Sequence, residues 1–293
     1  MGAAALPFIP LFPSLPSVDA NPPVCLFSKP LQTMPWPRLA QAVKQIGFTG
    51  IDLTVRPGGH VLPERVTEDL PAALEALRKE GLDLPMITTE LLSLRDPAAE
   101  TTLAAAGRLG IPYCKPGYYK YKFVNVRAEL HEVAADFQGL ATLAQSKQVR
   151  MGFHNHTGNV GGPVWDIAEI LAGLDPKWAG YYFDPGHAVA EGGGAGWKVV
   201  LNRIAPHIFM TSIKDFVWER SNQGWREHWV PLGEGMVDWK YYFSELRRTQ
   251  FHGPISLHIE YNPGGATPSA KEDNLLAAAQ RDLQFLWKAL REA

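Results

Sequence analysis

Cysteine is almost missing from this 293-residue chain. Only Cys25 and Cys114 occur, each in an apolar run, which excludes a disulfide framework and any zinc site built on cysteine pairs. Both read as packing residues. An excess of positive charge is missing too: the formal net charge is -2, whereas nucleic acids and anionic membranes select a basic surface. No stretch reaches the roughly 18 to 20 uninterrupted apolar residues that a membrane span needs. No G-x-G-x-x-G follows the first strand, which counts against a dinucleotide-binding open sheet, and there is no glycine-rich phosphate cradle. What is present is a chain 46% hydrophobic and 20% charged, long enough to bury one large core.

Residues 1–22 are set apart from 23–293. Ala3 to Leu15 is apolar, but Pro7, Pro10 and Pro13 argue against a stable helix there. Val18-Asp19-Ala20 has the small-residue pattern of a signal-peptidase site, yet no Lys or Arg precedes Lys29. Two readings stay open, the tail of an export signal or a proline-rich arm, and with them an exported or a cytoplasmic location.

From Pro23 onward short apolar runs alternate with helical patterns. Strands are expected at 24–28, 50–55, 84–89, 111–115, 149–154, 180–184, 208–214 and 254–260, with a helical stretch after each. Eight such units in this length predict an α/β fold, a single (β/α)8 TIM barrel with no internal domain boundary. Two segments read as loops: the glycine-rich 192–196, and a long stretch from Phe216 to Met236. Trp218, Trp225 and Trp229 give the second two readings, a lid with aromatic faces suited to sugar rings or a loop packed onto the barrel by its tryptophans.

Several strands end in chemistry. His154 and His156 follow the fifth, Asp184 and His187 the sixth, Lys214 closes the seventh, and His258 and Glu260 close the eighth. In this fold such strand ends meet at one mouth, and residues two apart on a strand share a face. A convergence of His154, Asp184, Glu260 and His258 suits a divalent ion taking nitrogen and oxygen ligands, Mn²⁺, Co²⁺, Zn²⁺ or Mg²⁺. Singly, each residue has a plainer reading: a hydrogen-bonded histidine, an aspartate starting a turn, or a Lys214–Asp215 surface ion pair. Arg56 and His60 after the second strand, Lys115 and Tyr119 around the fourth, and Trp218 are the expected substrate contacts.

The runs Ile46-Gly-Phe-Thr-Gly-Ile-Asp-Leu53, His154-Asn-His156, Asp184-Pro-Gly-His187, Ile213-Lys-Asp215 and Ser256-Leu-His-Ile-Glu260 carry a resemblance. From about residue 24 to 290 the chain resembles the xylose isomerase-like barrels known as sugar phosphate isomerases/epimerases. That superfamily also holds inosose dehydratases and, more distantly, DNA-repair enzymes of the endonuclease IV type. The resemblance implies a metal held by a Glu after strand five, an Asp after strand six, a His on strand seven and a Glu on strand eight. Asp184 matches the Asp. His154 stands at the first Glu, Ser212 at the His, and the last Glu falls on Glu260 or His258.

The resemblance further implies a metal-dependent isomerase or epimerase acting on a free or keto-sugar through an enediolate. Glu260, His156 or His187 would move the proton, and Lys214 would donate to the oxyanion. Because one of the two proton-moving glutamates is replaced by His154, a lyase or dehydratase of a keto-sugar, keto-glycoside or inosose is the alternative. A non-catalytic sugar-binding barrel is the remote one. Phosphodiester cleavage of abasic DNA is disfavoured by the slight acidity and the absent strand-seven histidine. The expected partner is a small carbohydrate, with no nucleic acid and no membrane; assembly into a homo-oligomer stays open.

Overall fold

The computed structural model describes residues 22–293, so the arm or export-signal remnant expected at the N-terminus lies, but for Pro22, outside the described residues. Eight parallel strands close into a barrel: β1 (Val24–Phe27), β2 (Gly50–Val55), β3 (Asp83–Thr89), β4 (Tyr113–Lys115), β5 (Arg150–His154), β6 (Ala179–Phe183), β7 (Ile208–Ile213) and, beyond a hairpin, β10 (Ile255–Leu257). Neighbours follow chain order, and β10 closes the ring by pairing with both β7 and β1. The (β/α)8 TIM barrel read from the alternation of patterns is the fold observed.

Helices α1 (Trp36–Ile46), α2 (Val66–Lys79), α3 (Ala99–Leu109), α4 (Val126–Ser146), α5 (Trp165–Ala172), α6 (Pro185–Ile204), α7 (Trp239–Arg248) and α8 (Pro268–Glu292) surround the barrel. Their limits follow local chemistry. Asn125, Asp238 and Thr267 cap α4, α7 and α8 by accepting from the backbone N–H three residues on, and Gly47 and Gly110 end α1 and α3 in the left-handed conformation. No helix among the described residues is long and apolar enough to cross a membrane.

Strand alternation separates two interiors. On β6, Tyr181 and Phe183 face the helices and join the main core, while Tyr182 points into the barrel with Met86 and Met210 as a small apolar plug. Gly152 on β5 makes room for that plug, since a Cβ there would run into Met210. Above the plug the interior turns polar. Asp52 on β2 accepts from Thr88 of β3 at 2.7 Å, Ser256 of β10 at 2.8 Å and Tyr182 at 3.1 Å, tying four strands across the barrel.

The structure departs from three expectations. The glycine-rich 192–196 is not a loop: α6 runs through it with a kink at Gly193 (φ 59°), the one residue there with non-helical dihedrals. The stretch from Phe216 is not irregular either. It folds as an antiparallel hairpin, β8 (Asp215–Ser221) and β9 (Gly224–Val230), turning at Asn222-Gln223 ahead of Gly224 (φ 107°). That turn lacks the Asn-Gly pair that signals a hairpin, and its tryptophans read as a lid or a packed loop instead. The last barrel strand ends at Leu257, so His258 to Glu260 lie beyond the ladder, although His258 N still donates to Ile213 O at 3.0 Å.

Asp215 fixes the base of the hairpin. Its buried carboxylate accepts from the N–H groups of Phe216, Gly233, Gly235 and Val237 and from Trp239 Nε1, at 2.9 to 3.2 Å. Asp215→Ala strands these donors and is expected to cost about 3 kcal/mol. The check is the denaturant midpoint; an unchanged midpoint would mean that water replaces the carboxylate freely.

Candidate active site

The ends of β5, β6, β7 and β10 deliver one cluster. Beyond β5 the side chain of Asn155 clasps the next strand end, with Nδ2 donating to Asp184 O at 2.9 Å and Oδ1 accepting from Asp184 N at 2.7 Å. This amide continues the sheet pairing just past the His154–Tyr182 register and sets the position of Asp184. Asp184 then caps α6, its Oδ1 accepting from His187 N at 3.1 Å, and Pro185 supplies the fixed φ of the first helical residue. The other oxygen, Oδ2, faces the barrel mouth. It accepts from Ser212 Oγ at 2.7 Å and lies 3.2 Å from Lys214 Nζ and 3.5 Å from His154 Nε2.

Lys214, just beyond β7, is the centre of the cluster. Its Nζ donates to His187 Nε2 at 2.8 Å, stands 3.8 Å from Glu260 Oε2, and lies 4.4 Å from the ring centre of Trp229. Only 2% of the residue is exposed. An ammonium donates three hydrogens: one is taken by His187, one faces Asp184 at 3.2 Å, and the third, towards Glu260, is loosely held.

These contacts assign the imidazole tautomers. Lys214 only donates, so His187 Nε2 accepts and its Nδ1–H donates to Thr157 Oγ1 at 2.6 Å. His154 Nε2 lies 3.5 Å from Asp184 Oδ2 and 3.4 Å from Ser212 Oγ, whose own proton is on Asp184; both face it as acceptors, which assigns the proton to Nε2 and leaves Nδ1 to accept from Tyr118 OH, 3.0 Å away. His156 Nδ1 lies 2.9 Å from Thr157 O and 3.2 Å from Asn159 Nδ2; the shorter contact, to an oxygen that only accepts, assigns the proton to Nδ1, and the half-buried Nε2 has no hydrogen-bond partner among the described residues. The His156 ring lies 3.9 Å from that of His187, centre to centre.

Burial pushes all three imidazoles below their ordinary 6.5, His154 and His187 far below it, and the Lys214 charge adds to the shift in each. For Asp184, burial alone would raise the carboxyl, but Lys214, His187 and the bond from His154 outweigh it and hold it well below the usual range. Glu260 is lowered in the same way: burial opposes, and Lys214 and His258 prevail. Three neutral imidazoles and two carboxylates therefore surround one ammonium.

The remaining expected residues divide. Lys115 is buried with its Nζ 3.4 Å above the ring of Tyr118, and burial, helped by the Arg56 charge, pushes it down to about 7. Arg56 is close enough to act on it and pairs with Glu90 at 3.6 Å. His258 stacks on Phe27, approaches Tyr182 OH through Nε2 at 3.0 Å and lies 3.6 Å from Glu260 Oε1 through Nδ1. His60 is packed away beside Leu31 and Met34, where burial takes it down to about 4, and no contact joins it to the cluster. Tyr119 turns into the core, donating to Leu92 O at 2.6 Å and stacking on Phe153. Trp218 sits 39% exposed on the hairpin, while Trp229 meets Lys214 and His187.

Sequence reasoning missed Tyr118, Thr157 and the hairpin face that carries Trp229. Tyr118 neighbours the expected Tyr119, and only the direction of the loop after β4 separates them. Trp225, Glu227 and Trp229 do alternate, a signal that a strand reading of the hairpin would have used.

The metal set implied by the resemblance does not fit these donors. Divalent ions need lone pairs at about 2.0–2.2 Å. His154 Nε2 carries its proton toward Asp184, Ser212 spends its hydroxyl on the same carboxylate, and the Lys214 ammonium lies between Asp184 and Glu260. His258 Nδ1 is buried without a hydrogen-bond partner and faces Glu260 Oε1 at 3.6 Å, and one such nitrogen makes no site. Among the described residues no group of three or more His, Cys, Asp or Glu is arranged to hold a metal.

A family profile described as xylose isomerase-like TIM barrel matches residues 40–288. The chain belongs to this family. Among curated proteins, an inosose dehydratase of Clostridium beijerinckii is 26% identical over 174 residues, 55% of this chain and 56% of that protein. The chain thus matches little more than half the length of this curated relative. Among solved structures, a D-psicose 3-epimerase from Clostridium cellulolyticum, with D-tagatose, superposes with a TM-score of 0.68 at 12% identity, covering 92% of this chain and 99% of the other. A xylose isomerase-like TIM barrel protein from Mycobacterium smegmatis, in complex with magnesium, gives 0.66 at 17% identity, covering 94% and 100%. At these identities the structural likenesses speak to fold.

The buried neutral imidazoles make stability depend on pH. His154 and His187 bind fewer protons folded than unfolded, so their contribution is whole above pH 6.5 and is lost as pH falls from there toward their lowered values. Each adds a slope of up to about 1.4 kcal/mol per pH unit. The urea midpoint is expected to fall steadily between about pH 7 and about pH 5, before the carboxylates titrate. A flat midpoint across that window would show that these imidazoles titrate in the native state as they do in the unfolded chain.

Proposed function

We propose that this chain is an enzyme, a lyase of the dehydratase type acting on an inosose or keto-sugar by removing a proton α to its carbonyl. One observation carries the reading: an imidazole nitrogen with a free lone pair, His156 Nε2, beside the loosely held third N–H of a buried ammonium, Lys214. Enolisation needs that pair, a base for the carbon acid and a donor for the oxygen that gains charge. His156 is neutral at pH 7 because burial and Lys214 lower it, so its lone pair is available. As an imidazolium it then hands its proton to the departing hydroxyl, and water leaves. His187 holds Lys214 in place by accepting one of its hydrogens. Tyr118, with Lys115 over its ring, bonds His154, and Trp229 lies against Lys214.

The name of the curated relatives, inosose dehydratase, supports the substrate class. A second reading is isomerisation or epimerisation, favoured by Glu260: an ionised carboxylate on the other side of Lys214 offers a second group to move a proton at the adjacent face. The small carbohydrate substrate is common to both.

In D2O with an inosose, mass spectrometry separates the two. Elimination yields a product lighter by one water; epimerisation yields solvent deuterium in an otherwise unchanged mass. His156→Gln is expected to lower kcat about 10²- to 10⁴-fold with little change in KM. Lys214→Met is expected to lower it about 10²- to 10³-fold. Full deuterium exchange by His156→Gln would remove His156 from the role of base.

A further inference from the structure

We infer that the Lys214 ammonium is the built-in cation of this site, standing where a divalent ion would otherwise sit, so that the protein works without metal. Three observations converge on it. The first is position: Nζ lies 3.2 Å from Asp184 Oδ2 and 3.8 Å from Glu260 Oε2, between the two carboxylates that a metal reading requires as ligands. The second is the state of the nitrogen donors. His154 presents N–H rather than a lone pair to Asp184, and the lone pair of His187 Nε2 is already taken by Lys214 at 2.8 Å. The third is Ser212, at the place where the family resemblance calls for a ligating histidine; its hydroxyl donates to Asp184 Oδ2 at 2.7 Å.

Electrostatics makes the two occupants exclusive. A divalent ion ligated by Asp184 Oδ2 at about 2.0–2.2 Å would lie against a lysine ammonium that is 2% exposed. Like charges that close, screened by little water, repel strongly. The ring of Trp229, 4.4 Å from Nζ, adds a further contact that favours the ammonium where it is. Asp184 and Glu260 are therefore neutralised from within the chain. An ammonium offers hydrogen bonds where a metal offers open coordination positions, so a substrate carbonyl would meet an N–H donor. This substitution of charge holds whichever of the two reactions the site runs, and its test reads metal binding rather than turnover.

The test titrates Mn²⁺ into the purified, chelator-dialysed full chain, with calorimetry and Mn²⁺ electron paramagnetic resonance as readouts, for wild type and Lys214→Met. Wild type is expected to show no stoichiometric uptake below millimolar Mn²⁺ and no change of Tm with either Mn²⁺ or EDTA. Lys214→Met leaves two carboxylates unpaired and is expected to bind Mn²⁺ at least about tenfold more tightly than wild type. One equivalent bound by wild type at micromolar Mn²⁺, or a Tm lowered by EDTA, overturns the inference without touching the proposed reaction. Should Lys214→Met not fold, the wild-type titration and Tm decide alone.

Discussion

The site depends on one buried ammonium. Taking a lysine charge out of water costs several kcal/mol, and the cost is offset only when partners of opposite charge and good geometry surround it. Lys214 has Asp184 and Glu260 for charge and His187 as a hydrogen-bond acceptor. The dependence is mutual, because Asp184 stays ionised in a fully buried position only through Lys214, His187 and His154. Removing either member leaves an uncompensated buried charge, worth about 3–5 kcal/mol in destabilisation. Burial chiefly, and this charge in addition, keeps the imidazoles neutral, His156 among them.

The barrel supplies the precision this needs. Parallel strands place inward side chains from alternate strands at a common level, and the sheet register fixes which residues are neighbours. Asn155 extends that register beyond the last ladder bond, which is how an aspartate outside the strand is held as firmly as one inside it. Below the cluster, Asp52, Tyr182 and Ser256 tie β2, β6 and β10. Above it, the hairpin anchored by Asp215 brings Trp229 over Lys214. Polar interior and hairpin meet at the ammonium.

Much of this was legible in the sequence, and the limits are physical. The barrel was readable because eight apolar runs alternate with helical stretches, and because Asn125 and Asp238 mark helix starts by their capping chemistry. Asp184, His154, His156, Lys214, His258 and Glu260 were readable as residues that meet, since the fold gathers strand ends. Their mutual roles were not. Whether His154 offers a lone pair or an N–H depends on Tyr118, which approaches from the loop after β4, and whether Lys214 points at substrate or at Asp184 is a rotamer. Trp218 and Trp229 lie on a hairpin whose Asn222-Gln223 turn has no strong signature, so strand alternation could not be used to choose between them. Gly193 shows the opposite case: a glycine-rich run that suggests a loop is carried by a helix tolerating one non-helical residue.

The central claim is that a protein ammonium, and no metal, lies between Asp184 and Glu260. The most direct measurement is anomalous diffraction at the manganese edge from crystals soaked in MnCl2. The account predicts density for Lys214 Nζ against Asp184 and His187, with no anomalous peak at the barrel mouth. A manganese peak ligated by Asp184 and Glu260, with the Lys214 side chain turned away, would contradict it.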